Sequence, residues 1–392
     1  MHSLAHHLAE LVRRPSINPM GRTDLPPDLI HESRVTDYWE ERFRELGVPY
    51  ERIEVLPGRS NIVAKYIPPT PAKFHYLFEA HQDTVPVDGM IIEPFAATIE
   101  NGKLHGRGAC DVKAGGVAMF GAFERLVKEK PAGSAAVTLA FTIDEEHTFL
   151  GIQHLMKSGF RADFAIVAEP TQLNIVRSHK GVARWSIETT GIACHSSRPE
   201  RGVNAVYRMG KVLTAIEEYA QQLQASRSDA LLGSPTISVG MIHGGASPNT
   251  VPDHCGISID RRLLPGETAA DAIAELDAFL AAKKLEFRTL PASFACPALK
   301  PHGGEAFIES LGKAIDSVKG SHTIDAVPYG TDASSVQEAG IPAVVFGPGD
   351  IAQAHTKDEW VELAQIEQAA EVLWQFATAG LRTNNSRLMS NG

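Results

Sequence analysis

The segment AVTLAFTIDEE, residues 136–146, sets an apolar run against three consecutive carboxylates. Its part VTLAFTI, residues 137–143, has the length and β-branched content of a buried strand. The run stops at Asp144, Glu145 and Glu146, with His147 next. Adjacent like charges at the end of a buried strand repel one another, and taking them out of water is unfavourable. The neighbouring sequence repeats the pattern. FHYLFEAHQD (74–83) and DFAIVAEP (163–170) also read as strands that end on ionisable residues. Between them GGVAMFGAFERLVKEK (115–130) and LGIQHLMKSG (150–159) have helical periodicity. This βαβ alternation predicts an α/β fold around a mostly parallel, doubly wound sheet.

From about residue 179 to 292 the rhythm changes. VARWSIETTG (182–191), TISVGMIHGG (236–245) and CGISIDRRLL (255–264) alternate apolar with polar, as half-exposed antiparallel strands do. Two helical stretches lie among them, VNAVYRMGKVLTAIEEYAQQL (203–223) and ETAADAIAELDAFLAAK (267–283). After about 293 the first rhythm returns, with IPAVVFGPG (341–349) as a strand and VELAQIEQAAEVLWQFATAG (361–380) as a closing helix. The expectation is a catalytic domain of residues 1–178 and 293–392, interrupted by an inserted α+β domain of residues 179–292.

The composition narrows the class of function. Across 392 residues, a net charge of −10 gives no basic face for nucleic acid. No apolar run approaches the ~20 residues of a membrane span. The opening MHSLAHHLAELVRRPS has an amphipathic helical pattern and no apolar signal-peptide core. Cys110, Cys194, Cys255 and Cys296 form no CxxC pair and read as reduced thiols of a cytoplasmic protein. The polar tail RTNNSRLMSNG holds an N-x-S sequon at Asn384 that carries little meaning in that setting.

The ionisable residues gather at strand ends. His81 and Asp83 follow one strand, and Glu145 and Glu146 end the next. Glu169 ends a third, His355 lies in the loop after the last, and Asp111 sits in the Gly-rich turn GRGACDVKAGG (106–116) before a helix. In open α/β sheets, sites form outside the carboxyl ends of strands. A set of His, Asp, Glu, Glu and His without thiolate suits Zn²⁺ or a similar divalent ion. One aspartate bridging two ions leaves each ion a His and a carboxylate of its own, and two ions ~3.5–4 Å apart hold a water as nucleophile. Cations also reverse the repulsion within the Glu145–Glu146 pair, so that one is a ligand and the other remains as a general base. Taken singly, each residue has an ordinary explanation: loop histidines, a helix N-cap at Asp111, acids at a helix start. Their common placement at one sheet edge is what favours a metal site.

Further motifs extend along the chain: LVRRPSINP, AHQDTVP, GRGACDVKAG, DEEHTFLG, AEPT, RSHKG, CHSSRPERGVNAV, HGGASPNTVPD, DRRLLPGE, YGTDAS and FGPGDIAQAHTKDEW. In this order they resemble the M20-type zinc metallopeptidase and amidohydrolase family, which includes acetylornithine deacetylase, succinyl-diaminopimelate desuccinylase, aminoacylase and glutamate carboxypeptidase. The resemblance implies two Zn²⁺ per chain, for which Co²⁺ or Mn²⁺ can substitute. It assigns His81, Asp111 and Glu169 to one ion and Asp111, Glu146 and His355 to the other. Asp83 resembles the acid that orients the His81 ring, and Glu145 the catalytic base. His195 resembles an inserted-domain histidine that reaches the partner subunit's site in a homodimer formed through that domain. Arg262 and Asn249 resemble residues that hold the substrate carboxylate and the reacting carbonyl. Ala80 replaces the usual Gly before the histidine and Val112 the usual Met after the bridging Asp.

The implied reaction is hydrolysis of a small N-acyl amino acid, with Glu145 moving the proton from water to the leaving amine. HSSRPERGVNA and RSHKG resemble the deacetylase and desuccinylase branch, which points to acetylornithine before an N-succinyl amino acid or a dipeptide. Two readings of other classes compete. A non-catalytic metal-binding homologue is expected to lack the base or a ligand, and all are present. A nucleotide-binding protein would use GRGACDVKAGG as a phosphate loop, but it matches neither GxGxxG nor GxxxxGK[ST] and puts an acid where phosphate would sit.

Overall fold

The computed structural model describes residues 3–379; the sequon at Asn384 and the polar tail lie outside them. Two compact units are present. The first takes in residues 3–177, 302–325 and 331–379; the second comprises Ser178–Pro301 and Ala326–Gly330.

The first unit is built on an eight-stranded sheet, of which only residues 178–179 and 326–327 are counted with the second. Its order is Tyr50–Leu56, Arg59–Tyr66, Ala136–Thr142, His75–His81, Phe164–Val167, Ala343–Val345, Ile175–His179 and Ile324–Val327. The four middle strands, from Ala136–Thr142 to Ala343–Val345, run parallel. Tyr50–Leu56 and Arg59–Tyr66 form an antiparallel hairpin that joins the middle strands antiparallel, and Ile175–His179 also pairs antiparallel. The sheet is therefore parallel at its centre and mixed at its edges. Helices Ala114–Glu129, Leu363–Thr378 and Leu4–Val12 pack together over one face, and Leu150–Lys157 packs with Ala333–Glu338 away from that core.

Strand alternation sorts the side chains between the faces. Tyr76, Phe78 and Ala80 belong to the main apolar core, so Leu77, Glu79 and His81 point the other way. His81 is in register with Thr142, and Glu79 with Val167. The segments that carry His81–Asp83, Asp144–Glu146 and Glu169 thus leave the sheet at one level. The paired glycines of GRGACDVKAGG bring the next helix down onto that edge. A Cβ on Gly115 would lie 2.7 Å from Ala168 Cβ, and one on Gly116 would lie 3.0 Å from the Phe141 ring. A larger residue at either place would lift the helix, and with it the turn that carries Asp111.

The second unit is an antiparallel sheet in the order Thr236–Gly244, His254–Leu263, Gly181–Thr190 and Arg288–Thr289. It takes in residues 293–301 because Phe294–Cys296 adds a strand against Val182–Arg184. Ala183, Trp185, Ile187, Ile257 and Ile259 turn to helices Ala205–Ser226 and Ala269–Ala282, where Met209, Val212, Leu276 and Leu280 cover them. Thr236–Gly244 is an edge strand, with Met241 and Ile242 more than half exposed.

Candidate metal centre

Three strand ends and two loops of the first unit converge on one cluster. His81 Nε2 lies 3.2 Å from Asp111 Oδ1, 3.9 Å from Glu169 Oε1 and 4.0 Å from Glu145 Oε2. On the other side of Asp111, His355 Nε2 lies 3.2 Å from Asp111 Oδ2 and 3.2 Å from Glu146 Oε2. Asp111 therefore turns one carboxylate oxygen to each imidazole. It sits in the turn Ala109–Lys113, entered through Gly108 at φ +80° and followed by a cis peptide bond to Val112. Its carboxylate, and those of Glu145, Glu146 and Glu169, are largely buried, whereas His355 is about half exposed, at 52% of its side chain.

Such a cluster is electrostatically unbalanced when it holds no cation. Burial pushes the carboxyls of Glu145 and Glu169 well above the usual range, and the neighbouring carboxylates push further: Glu169 on Glu145, Asp111 on Glu169. Glu146 is raised in the same way, by burial and then by Asp111. Burial also works against a charge on His81, but its hydrogen bond with Asp111 and the charges of Glu145 and Asp111 outweigh it and raise the ring well above the usual histidine value. Hydrogen bonds with Asp111 and Glu146 push His355 up to about 11. Burial acts to raise Asp111, yet its hydrogen bonds with His355 and His81 hold it below the usual carboxylate range. The raised imidazoles beside a lowered Asp111 mark a site short of positive charge.

The donor set fits divalent metal ions. His81, Asp111 and Glu146 bring ligand atoms within 4.8 Å of one another, and so do His81, Glu145 and Glu169. Two nitrogens with carboxylate oxygens and no sulfur match zinc and similar borderline ions.

The three consecutive acids of DEE divide their tasks. Asp144 adopts a left-handed φ of +66° and points away from the cluster. Its carboxylate meets Arg59 Nη1 at 3.0 Å and accepts from Asn18 Nδ2 at 2.9 Å and from the Thr148 hydroxyl. Arg59 is itself held by the buried Glu32 carboxylate through two bonds of 2.8 and 2.5 Å. Only Glu145 and Glu146 are left to face His81 and His355.

Asp83 makes a different contact from the one the resemblance implied. His81 Nδ1 lies 2.9 Å from the Asp83 backbone carbonyl and 3.7 Å from its carboxylate. That carboxylate accepts instead from the backbone N–H groups of Glu145 and Glu146, each at 3.2 Å, and from Asn18 Nδ2 at 2.8 Å. Asp83 thus holds the backbone that presents the pair, while its carbonyl holds the ring.

Some participants carry no sequence signal of their own. Glu79 and Asp332 are fully buried and share the Thr142 hydroxyl, at 2.6 and 3.3 Å. Asp332 lies in YGTDAS and Asn18 in LVRRPSINP, both of them segments noted for other reasons, whereas nothing marks Arg59 or Glu32.

The remaining expected residues lie in the second unit. His195 pairs with Thr250 across a short ladder, and Ser196 N–H donates to the Asn249 carbonyl at 3.0 Å, so His195 and Asn249 are neighbours. His195 is exposed, with Nδ1 2.7 Å from Ser197 Oγ. Arg262 Nε meets Asp260 at 2.9 Å on the sheet face opposite the helices.

Comparison with known proteins places the chain. The profile described as peptidase family M20/M25/M40 matches residues 77–379, more than three-quarters of the sequence. The chain belongs to that family. Its M20 relatives include the acetylornithine deacetylase of Vibrio atlanticus, 31% identical over 87% of this chain and 89% of that protein. The acetylornithine deacetylase of Erwinia tasmaniensis is 32% identical over 93% of this chain and 94% of that protein. Among solved structures, an M20 family metallo-carboxypeptidase from Sulfolobus solfataricus superposes with a TM-score of 0.77 at 20% identity, over 96% of this chain and 99% of that one. A dinuclear metal-binding peptidase of the M20 family from Bacillus subtilis superposes with a TM-score of 0.68 at 17% identity, over 97% and 98%. This M20 protein is a metal-dependent hydrolase of amide or peptide bonds. No helix among its described residues is long and apolar enough to cross a membrane.

Proposed function

We propose that the protein uses two zinc ions to hydrolyse the amide bond of a small N-acyl amino acid, with N-acetylornithine as the leading substrate. The observation that carries this reading is Asp111, with one oxygen 3.2 Å from each of two imidazoles, beside a Glu145 that lies 4.0 Å from His81. His81, Asp111 and Glu169 would hold one ion, and Asp111, Glu146 and His355 the other. When bound, such ions supply a water of lowered pKa and a positive field for the substrate carbonyl.

The chain's own residues do the rest. Glu145 accepts the proton of the attacking water as the new C–O bond forms. It returns that proton to the amide nitrogen as the C–N bond breaks, so that a carboxylic acid and a free amino acid leave. Asp83 fixes Glu145 through its backbone N–H. We assign Arg262 to the substrate carboxylate and Asn249 to the reacting carbonyl. His195 is assigned to oxyanion stabilisation in the partner of a homodimer formed through the second unit, in the cytoplasm. The exposed edge strand Thr236–Gly244 supports that mode of assembly.

The deacetylase relatives favour an acyl amino acid, while the names of some similar structures, such as a Staphylococcus aureus tripeptidase and human carnosine dipeptidase 1, keep dipeptides as the second reading. A screen of N-acetyl and N-succinyl amino acids and dipeptides, with Zn²⁺, Co²⁺ or Mn²⁺ added, decides between them. N-acetylornithine should be turned over with the highest kcat/KM, and preference for a dipeptide would reject the deacetylase assignment.

A further inference from the structure

The turn that carries Asp111 is wrapped around a carboxylate that neither binds metal nor moves a proton in the proposed reaction. Glu359 is fully buried. Its Oε1 accepts from the backbone N–H groups of Cys110 at 2.9 Å and Asp111 at 3.0 Å. Its Oε2 accepts from the N–H of Gly108 at 3.1 Å and from Arg107 Nη1 at 2.7 Å. Successive backbone N–H groups converging on one anion make a concave anion-binding site, and here the anion is a side chain of the protein itself.

The segment that supplies Glu359 also carries His355, four residues earlier. Arg107 ties the same two segments again, since its Nη2 donates to the Thr356 carbonyl at 3.4 Å and to the Pro86 carbonyl at 3.1 Å. The backbone adds a third tie, Gly106 N–H to the Glu359 carbonyl at 2.9 Å. Apart from the bond to Pro86, which follows the strand end of His81, each of these bonds runs between the turn that presents Asp111 and the loop that presents His355. Glu145 and Glu169 reach the cluster from other strand ends and are not part of these ties, and the segment of His81 is touched only at the Pro86 carbonyl.

We propose that Glu359, with Arg107, is a positioning clamp that sets the spacing of Asp111 and His355, and so tunes the ion held by Asp111, Glu146 and His355 in preference to the ion held through His81 and Glu169. A glutamate that only stabilised the fold would lack this selectivity. The inference rests on the two-ion reading proposed above, and the test separates failure of the one from failure of the other.

The test is metal binding by full-length protein stripped of metal and titrated with Co²⁺, followed by calorimetry and visible absorption. Wild type is expected to take up two ions in distinguishable steps, and wild type that never exceeds one ion refutes the two-ion reading itself. With that control in hand, Glu359→Gln keeps the side chain's size and an acceptor for Cys110 and Asp111, but removes the charge that Arg107 and Gly108 address. The step that Glu146→Gln also weakens should lose about 10–100-fold in affinity, the range seen when partners of ligands are removed, and the other step should stay within about twofold. The double variant Arg107→Met/Glu359→Gln removes both charges together and should show the same selective loss, without leaving a buried charge unpaired. Unchanged affinity for both ions overturns the proposal, and so does an equal loss at both. Failure of the double variant to fold in the metal-free state also overturns it, because the clamp would then hold the fold and not the site.

Discussion

Replacing Glu145 and Glu146 separately by Gln should give two different proteins, although the residues are adjacent. Glu146 Oε2 lies 3.2 Å from His355 Nε2 and belongs to the proposed ligand set, whereas Glu145, with Oε2 4.0 Å from His81 Nε2, is proposed as the base. Glu145→Gln removes a proton acceptor and leaves the proposed ligand set intact. Loss of a positioned base lowers rate by about 10²–10⁴-fold, or roughly 3–5 kcal/mol of transition-state stabilisation at about 1.4 kcal/mol per decade. The backbone bonds from residues 145 and 146 to Asp83 do not involve either side chain, so both variants should fold. Glu146→Gln withdraws a charged ligand, and should weaken one ion by at least the about 10–100-fold typical of losing an outer partner. The assay pairs steady-state kcat on an N-acetyl amino acid with elemental analysis of dialysed protein. Glu145→Gln should retain wild-type metal content with kcat down at least a hundredfold, and Glu146→Gln should lose metal. Equal metal loss in both would refute the division of tasks, and near-normal turnover of Glu145→Gln would refute the assignment of the base.

Metal affinity should rise with pH. In the metal-free protein His355 is pushed up to about 11 and His81 is raised in the same direction, while ligation needs neutral imidazoles. Uptake should therefore release protons, measured by calorimetry in buffers of different ionisation enthalpy; affinity that stays flat from about pH 6 to about pH 8 would contradict this linkage. Arg59→Met should destabilise the protein by about 3–5 kcal/mol, because it leaves the buried Glu32 and Asp144 carboxylates without their cation. Urea denaturation measures it, and a loss below about 1 kcal/mol would mean the pair behaves as a surface one. A Glu145→Gln chain mixed with a His195→Ala chain should regain about half of wild-type activity per mixed dimer, since one site then has its own base and a borrowed histidine. No recovery in mixed dimers verified by differential tags would reject action across subunits.

Three of the five proposed ligands, His81, Glu146 and Glu169, were legible because strand ends advertise themselves: an apolar run that stops on His or Glu is visible in one dimension, whereas Asp111 sits in a Gly-rich turn and His355 in a loop. The groups that aim them were not. Asn18, Arg59 and Glu32 come from the N-terminal region and meet Asp83 and Asp144 only through tertiary folding, and each alone is an ordinary polar residue. Glu359 reads locally as one more acid in HTKDEW; its role depends on backbone N–H groups about 250 residues earlier in the chain, a donor set that no side-chain pattern encodes. Asp83 resembles the acid that orients the His81 ring, and the further bonds of its carboxylate, to the backbone of Glu145 and Glu146, are not visible in sequence. The sheet shows the same division. Its parallel centre follows from long apolar runs separated by helices, while the flanking hairpin, whose first strand YERIEVL alternates charge with apolar residues, is a half-exposed edge that βαβ periodicity does not announce.

The central claim, two ions joined by Asp111, meets its most direct test in metal stoichiometry. Protein stripped of metal, reloaded with excess Zn²⁺ and freed of loose ions by gel filtration should carry about two zinc per chain by elemental analysis. Asp111→Asn prepared in the same way should fall below one, because both sites lose a shared ligand. Wild type that reaches full activity at one ion per chain, or an Asp111→Asn protein that still holds two, would contradict the account.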